Sequence, residues 1–261
     1  MFLKDRVAIV TAGGGPGMGS AFCYALAKEG ASVVVADYDE GRGDAVAKKI
    51  RAEGGKAIGV LTDVSKPSDV TRMAERTLKE FGKISILSNH AGASTAGKTV
   101  EEMSIELWDR AMNVHLRGTF LCSKAVIPHM KKEKWGRIVN TSSRAAYSSK
   151  INTLADYAAA KAGIIGFSRV LAREVGEYGI TVNCIAPGLV SDSGLGLVYS
   201  SPIWPPGSEQ AAADNEGQLL RPYRMVRPDE IAGAMLYLVG PHSDRVTGMV
   251  LHINGGSYLP A

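Results

Sequence analysis

Tyr157 and Lys161 stand four residues apart in Asp156-Tyr157-Ala158-Ala159-Ala160-Lys161, at the start of a run with helical periodicity. On a helix that spacing puts both side chains on one face. A phenol, with an ordinary pKa of about 10, is a poor base at neutral pH. A neighbouring ammonium favours the phenolate by opposite charge. Such a pair can pass a proton to or from an alcohol or ketone oxygen. Taken alone, Tyr-x-x-x-Lys is common by chance, and an exposed pair is its ordinary meaning.

A second cluster lies near the N-terminus, in Thr11-Ala12-Gly13-Gly14-Gly15-Pro16-Gly17-Met18-Gly19. Gly13, Gly17 and Gly19 form G-x-x-x-G-x-G between an apolar run and a helical pattern. Glycines permit a sharp turn and let backbone approach a pyrophosphate, and a helix N-terminus supplies free N–H groups. The next apolar run ends at Asp37. A carboxylate there accepts hydrogen bonds from an adenosine ribose and repels a 2′-phosphate. Pro16 brings no positive charge before Gly17. Both points favour NAD over NADP, while nearby Arg42 keeps NADP open. A helix-capping role for Asp37 is compatible with ribose binding.

These residues need elements to hold them. Val7–Val10, Ser32–Ala36, Ala57–Leu61, Ile84–Ser88, Arg137–Thr141, Thr181–Ile185 and Val250–Ile253 read as strands. Helical stripes fall at 17–28, 41–53, 67–81, 104–131, 155–178 and 229–239. In Pro67–Phe81, for example, Val70, Met73, Ala74, Thr77, Leu78 and Phe81 share a face. Strands alternating with helices predict an α/β fold: a doubly wound parallel sheet of Rossmann type, with helices on both faces. We expect one domain over residues 1–261. One stretch breaks the rhythm: 189–224, with Pro202, Pro205, Pro206 and the apolar Leu195, Leu197, Val198, Tyr199, Ile203, Trp204, Leu219 and Leu220. Long connections are usually functional. We read it as a lid over a hydrophobic pocket; a subunit-interface segment is the alternative.

Composition excludes several classes. With 45% hydrophobic and 21% charged residues the chain is ordinary globular material, not disordered. The net charge of +4 is spread out. Its densest basic run, Lys131, Lys132, Lys134 and Arg137, reads as a solvated helix end; a nucleic-acid or carrier-protein patch is the alternative. Cys23, Cys122 and Cys184 are far apart and lack metal-ligand spacing, so we expect no disulfide framework and no metal. Met1–Arg6 leads directly into a strand pattern without signal-peptide features, and no apolar run could span a bilayer. A cytoplasmic protein with no membrane or nucleic-acid partner is expected.

The ordered series of motifs resembles the short-chain dehydrogenase/reductase family, in its single-domain branch of about this length. Gly13-x3-Gly17-Met18-Gly19 is similar to its cofactor turn. Asp63-Val64 resembles its adenine-contacting pair, and Asn89-His90-Ala91-Gly92 its Asn-Asn-Ala-Gly motif. Asn113, in Met112-Asn113-Val114, matches its catalytic Asn. Gly136–Ser143 matches its fifth strand and serine, Tyr157 and Lys161 its catalytic pair, and Pro187, Gly188 and Val190 the segment after the sixth strand. The resemblance implies that Tyr157 is the acid/base and that Lys161 lowers its pKa and holds the nicotinamide ribose. It implies that Ser143 stabilises charge on the substrate oxygen, with Ser142 as rival, and that Asn113 holds a water linking Lys161 to solvent. A homotetramer packed through the helices near 104–131 and 155–178 is implied by the same analogy.

Some positions depart from the pattern. Ala12 stands where the family often has Thr before the first motif glycine, with Thr11 one place earlier, which puts one structural hydrogen bond in doubt. His90 replaces the second Asn of its motif and reads as a packed side chain. Asp192 lies where a Thr commonly meets the carboxamide, with Ser191 or Ser193 as substitutes, and Asn254 replaces a frequent Asp. The expected activity is NAD-dependent hydride transfer on a largely apolar small-molecule secondary alcohol or ketone, cyclic or aromatic. The rivals are an NADPH-dependent 3-oxoacyl thioester reductase, a nucleotide-binding regulator without catalysis and, as a minor case, an epimerase.

Overall fold

Seven apolar runs become strands of one sheet: β1 (Val7–Thr11), β2 (Ser32–Asp37), β3 (Lys56–Leu61), β4 (Ile86–Asn89), β5 (Gly136–Thr141), β6 (Ile180–Pro187) and β7 (Val250–Ile253). The structure, a computed structural model, describes residues 1–93, 97–147, 153–191, 219–220 and 225–259. The strands pair in the order β3-β2-β1-β4-β5-β6-β7, every pairing parallel. The order reverses between β1 and β4, which opens a crevice at their carboxyl ends. The expected doubly wound Rossmann-type sheet is the one observed.

Helices cover both faces: α1 (Met18–Lys28), α2 (Glu40–Ala52), α3 (Pro67–Phe81), α4 (Ile105–Ala111), α5 (Gly118–Glu133), α6 (Ala155–Val175) and α7 (Pro228–Val239). Alternate residues of β1 show how the two cores divide. Ala8 and Val10 pack with Phe22 and Leu26 of α1 and Met235 of α7. Ile9 faces the other way, with Met73 of α3, Val126 of α5 and Leu171 of α6. Strands buried on both faces explain the nearly unbroken apolar runs. The three cysteines are free and buried, as expected.

The long helix expected over 104–131 is α4 and α5 joined by a π-helical turn, Met112–Arg117. Thr119 Oγ1 donates to the His115 carbonyl at 2.7 Å, a side-chain bond that competes with the regular ladder. The helix expected to end at Tyr178 leaves α-geometry at Val175, and Gly176–Tyr178 tighten into a 3-10 turn closed by Gly179 at φ 72°. The basic run does not form one surface patch. Arg137 is buried, with Nη2 2.6 Å from Asp244 Oδ1 and Nη1 donating to the carbonyls of Gly136 and Gly179. Among the described residues no helix is long and apolar enough to cross a membrane, and no His, Cys, Asp and Glu group could hold a metal.

Candidate active site

The turn after β1 is built for close backbone approach. A Cβ on Gly19 would overlap the Ala12 carbonyl oxygen, and one on Gly13 would sit 2.9 Å from Cys23 Sγ. Gly17, at φ 89°, begins α1 in a conformation that L side chains rarely adopt. Neither a side-chain cap nor an acidic residue occupies the first turn of α1, so Met18 opens a helix end whose N–H groups suit an anion. Asp37 braces this turn: Oδ2 accepts from Gly14 N and Oδ1 from Asp39 N, both at 3.0 Å. Arg42 is turned to Asp39, 3.4 Å from Oδ2. A dinucleotide therefore fits the residues present. Gly17, Met18 and Gly19 would meet its pyrophosphate, and Asp37 its ribose.

Thr11 answers the doubt raised by Ala12. Its Oγ1 accepts from His90 N at 2.9 Å and Ala91 N at 3.0 Å, tying the loop after β4 to the end of β1. Ala12 itself holds φ 53°, a left-handed conformation unusual for a residue with a Cβ. Asn89 is buried and spans the sheet, donating to Asn140 Oδ1 at 2.8 Å and to Ser123 Oγ at 3.1 Å. His90 is a packed side chain: its ring lies edge-on to Phe22 at 5.3 Å and its Nδ1 is 3.3 Å from Thr141 Oγ1. Burial, then the Lys161 charge, pushes its pKa down to about 3.

Asp63 turns its carboxylate inward to its own loop, accepting from Ser65 N at 3.0 Å and Ser65 Oγ at 2.7 Å. Val64 is buried against Gly118, where an added Cβ would come within 2.8 Å of Val64 Cγ2. At the end of β6, after Pro187, Gly188 N donates to Ile253 O at 3.0 Å and Val190 bridges to Val226. Of the expected lid, Leu189, Val190, Ser191, Leu219 and Leu220 are described. Leu219 and Leu220 are exposed and donate through their N–H groups to the Gly255 carbonyl. Asp192, Ser193, Leu195, Leu197, Val198, Tyr199, Ile203 and Trp204 lie outside the described residues.

Ser143, Tyr157 and Lys161 come together at the carboxyl end of β5. Ser143 follows the strand in extended conformation, and its Oγ caps the 3-10 turn Arg144–Ala146 through Ala145 N at 3.1 Å. The same hydroxyl acts on the Tyr157 phenol, favouring its ionised form. Ser142 points elsewhere, donating to the Lys161 carbonyl at 3.0 Å. Tyr157 lies in the first turn of α6, its N–H held by Asp156 Oδ1 at 2.7 Å. Lys161, one turn on, lies 5.5 Å from the centre of the Tyr157 ring and donates to the Thr141 carbonyl at 2.7 Å. Burial pulls its pKa down to about 8. Burial also pushes the Tyr157 phenol above its ordinary range, with the Ser143 hydrogen bond working against it. In this state the phenol keeps its proton.

Asn113 comes from the segment between α4 and α5. It belongs to the π-helical turn, and its carbonyl is one of two toward which the Gly118 N–H points. Its side chain makes no hydrogen bond among the described residues. The same turn carries His115, whose ring lies edge-on to Tyr157, centroids 5.3 Å apart at 81°. Sequence reasoning passed over His115. Its sequence signal is its place two residues after Asn113 in Asn113-Val114-His115.

A parallel sheet whose switch point carries a glycine turn, with a phenol, an ammonium and a hydroxyl gathered beside it, defines a dinucleotide-dependent oxidoreductase. The sequence comparisons agree. The family model described as short chain dehydrogenase matches residues 6–196. The chain is 39% identical, over 99% of both sequences, to a subunit of (2S)-[(R)-hydroxy(phenyl)methyl]succinyl-CoA dehydrogenase of Thauera aromatica. It is 35% identical, over 98% of both, to 3-oxoacyl-[acyl-carrier-protein] reductase of Synechocystis. It is 34% identical to cis-4-hydroxycyclohexanecarboxylate dehydrogenase of Sinomonas cyclohexanicum, over 97% of this chain and 96% of the relative. The protein belongs to the short-chain dehydrogenase/reductase family, whose members use nicotinamide cofactors on alcohol and ketone groups.

Proposed function

We propose that the protein is an NAD-dependent dehydrogenase of a ring-bearing secondary alcohol, and in reverse a reductase of the matching ketone. The observation that carries the chemistry is the gathering of Ser143, Tyr157 and Lys161 at the end of β5, with the lysine Nζ 5.5 Å from the centre of the phenol ring. Tyr157 takes the alcohol proton as general base and returns it in the reverse direction. Ser143 donates to the substrate oxygen and stabilises the charge that develops there. Lys161 places a positive charge beside the phenol and favours its anion once a proton must leave. The nicotinamide supplies hydride transfer at the carbinol carbon.

NAD is supported by Asp37 at the ribose position and by Arg42, whose guanidinium is engaged by Asp39. A ring-bearing substrate is supported by the apolar composition of 189–224, read as the lid of a single catalytic domain. The names of two relatives, one carrying a phenyl group and one a cyclohexane ring, support it further. A carrier-protein substrate loses support because Arg137 is buried, which breaks up the basic run. Exposed Ile105, Trp108, Phe120 and Val170 on α4, α5 and α6 support packing of identical copies as a homotetramer. Light scattering at several concentrations tests that assembly, and a monomer would refute it.

The function is tested by following nicotinamide absorbance with ring-bearing alcohols, acyclic alcohols and 3-oxoacyl thioesters, each with NAD and NADP. Higher kcat/KM for ring-bearing alcohols with NAD is expected. Faster turnover of 3-oxoacyl thioesters with NADPH would replace this reading with the reductase of that class.

A further inference from the structure

His115 stands where the acid/base, the loop after β4 and the helix 105–133 meet. Its side chain is buried, and its ring makes the edge-to-face contact with Tyr157. Its Nε2 lies 3.1 Å from the Ala93 carbonyl oxygen and 3.2 Å from the Ala93 nitrogen. One ring nitrogen cannot donate to the first and accept from the second in the same tautomer. With the proton on Nε2 it donates to the carbonyl, and Nδ1 is left with a free lone pair. That Nδ1 is buried and has no hydrogen-bond partner among the described residues. Gly92 also touches the ring: a Cβ there would fall 2.7 Å from His115 Cε1. On the other side, Gly163 of α6 lets the π-helical turn come close, since a Cβ at 163 would meet Leu116 at 2.8 Å. A buried polar side chain with a free nitrogen beside a reacting group calls for a functional account, and single π-turns inside helices occur often at functional sites.

We propose that His115 is a positioning residue for Tyr157, clamping the Ala91–Ala93 loop with one nitrogen while its ring fixes the orientation of the phenol. The proposal rests on the reading of Tyr157 as acid/base. It binds two parts of the site into one unit: the loop expected beside the cofactor and the group that moves the proton. The clamp does not switch with pH in the working range. Burial, then the Lys161 charge, holds the imidazole pKa at about 3, and His90 adds a smaller push in the same direction. Lys161, His90 and Tyr157 are the titratable groups facing it, from α6, the β4 loop and α6 respectively. The two halves of the role are separable. Phenylalanine keeps a ring against Tyr157 and loses the bond to Ala93; asparagine keeps a polar group for Ala93 and loses the ring.

The test uses His115→Phe, His115→Asn, Tyr157→Phe and the two double variants. It measures Tm, NADH binding by the fluorescence of the bound nucleotide, kcat, KM and the pH profile of alcohol oxidation. Both His115 variants are expected to fold. Their kcat should fall roughly 10- to 100-fold, as expected for a small misplacement of a reacting group. The alcohol KM should change little, the alkaline inflection should move, and NADH binding should weaken more in His115→Phe. In the Tyr157→Phe background the same substitutions should alter the residual rate little, because the group they position is gone. Unchanged kcat and pH profile, or an equal loss in both backgrounds, overturns the proposal. If the His115 variants do not fold, Gly92→Ala presses on the ring from the loop side; an unchanged kcat and pH profile there overturns it equally. Wild-type turnover by Tyr157→Phe overturns the acid/base reading and this proposal with it. Loss in Tyr157→Phe beside wild-type behaviour of the His115 variants overturns this proposal alone.

Discussion

Ser142 and Ser143 are neighbours in the chain with opposite allegiances. Ser142 Oγ donates to the Lys161 carbonyl at 3.0 Å, while Ser143 Oγ accepts from Ala145 N at 3.1 Å on the side of Tyr157. Period-two alternation at the end of β5 produces the division, since successive side chains leave an extended strand on opposite faces.

The two serines should therefore fail differently. Ser143→Ala is expected to lose roughly 10²- to 10³-fold in kcat, the cost of one donor to developing charge, with Tm nearly unchanged. Ser142→Ala should keep most of kcat and lose about 1 kcal/mol of stability, one buried hydrogen bond. Steady-state kinetics and urea unfolding of both variants check this. A larger kcat loss in Ser142→Ala would exchange their roles.

Asp37 should set cofactor choice and also support the turn. Asp37→Ser removes a negative charge from the site where a 2′-phosphate would lie. The NADP-to-NAD ratio of kcat/KM is expected to rise roughly 10- to 100-fold, in line with the cost of juxtaposed like charges. Because Gly14 N loses its acceptor, NAD affinity should fall as well. An unchanged ratio would contradict the assignment.

Gly19→Ala should damage the cofactor turn, because its Cβ would collide with the Ala12 carbonyl oxygen. Overpacking of this kind costs about 1–3 kcal/mol. The expected readout is a lower Tm without cofactor together with weaker NADH binding. Ala12→Gly, at φ 53°, should be neutral or stabilising, because glycine adopts that conformation freely.

Lys161 gives a pH-dependent stability with a definite sign. Burial lowers its pKa to about 8, below the ordinary lysine value. Above pH 8 the unfolded chain holds a proton that the folded chain has released, so this group makes stability rise with pH until the unfolded lysine also loses its proton. The slope is at most about 1.4 kcal/mol per pH unit. Lys161→Met should remove it. Urea midpoints of both proteins, taken at pH values below and above 8, should diverge in that direction. Parallel midpoints would show that the lysine titrates normally.

The fold was legible because α/β folds write themselves in a clear rhythm. Runs such as Val33–Val35 are buried on both sheet faces, and Pro67–Phe81 has matching helix bounds in sequence and structure. The π-helical turn was not legible. Its hydrogen bonds change the phase of side chains within a pattern that still reads as one helix, which explains why His115 beside Tyr157 was missed. Arg137 was read as part of a basic run because its partner, Asp244, is distant in sequence. The choice of Ser143 over Ser142 came from resemblance; in the structure the two side chains have different partners.

The central claim is that Tyr157 moves the proton, and Tyr157→Phe tests it most directly. The variant should bind NADH about as tightly as the parent, while alcohol oxidation falls roughly 10²- to 10⁴-fold, the usual contribution of a general acid or base. In the parent, oxidation should accelerate with rising pH because burial holds the phenol proton above its ordinary range. Turnover by Tyr157→Phe close to that of the parent, with the same pH profile, would contradict the account.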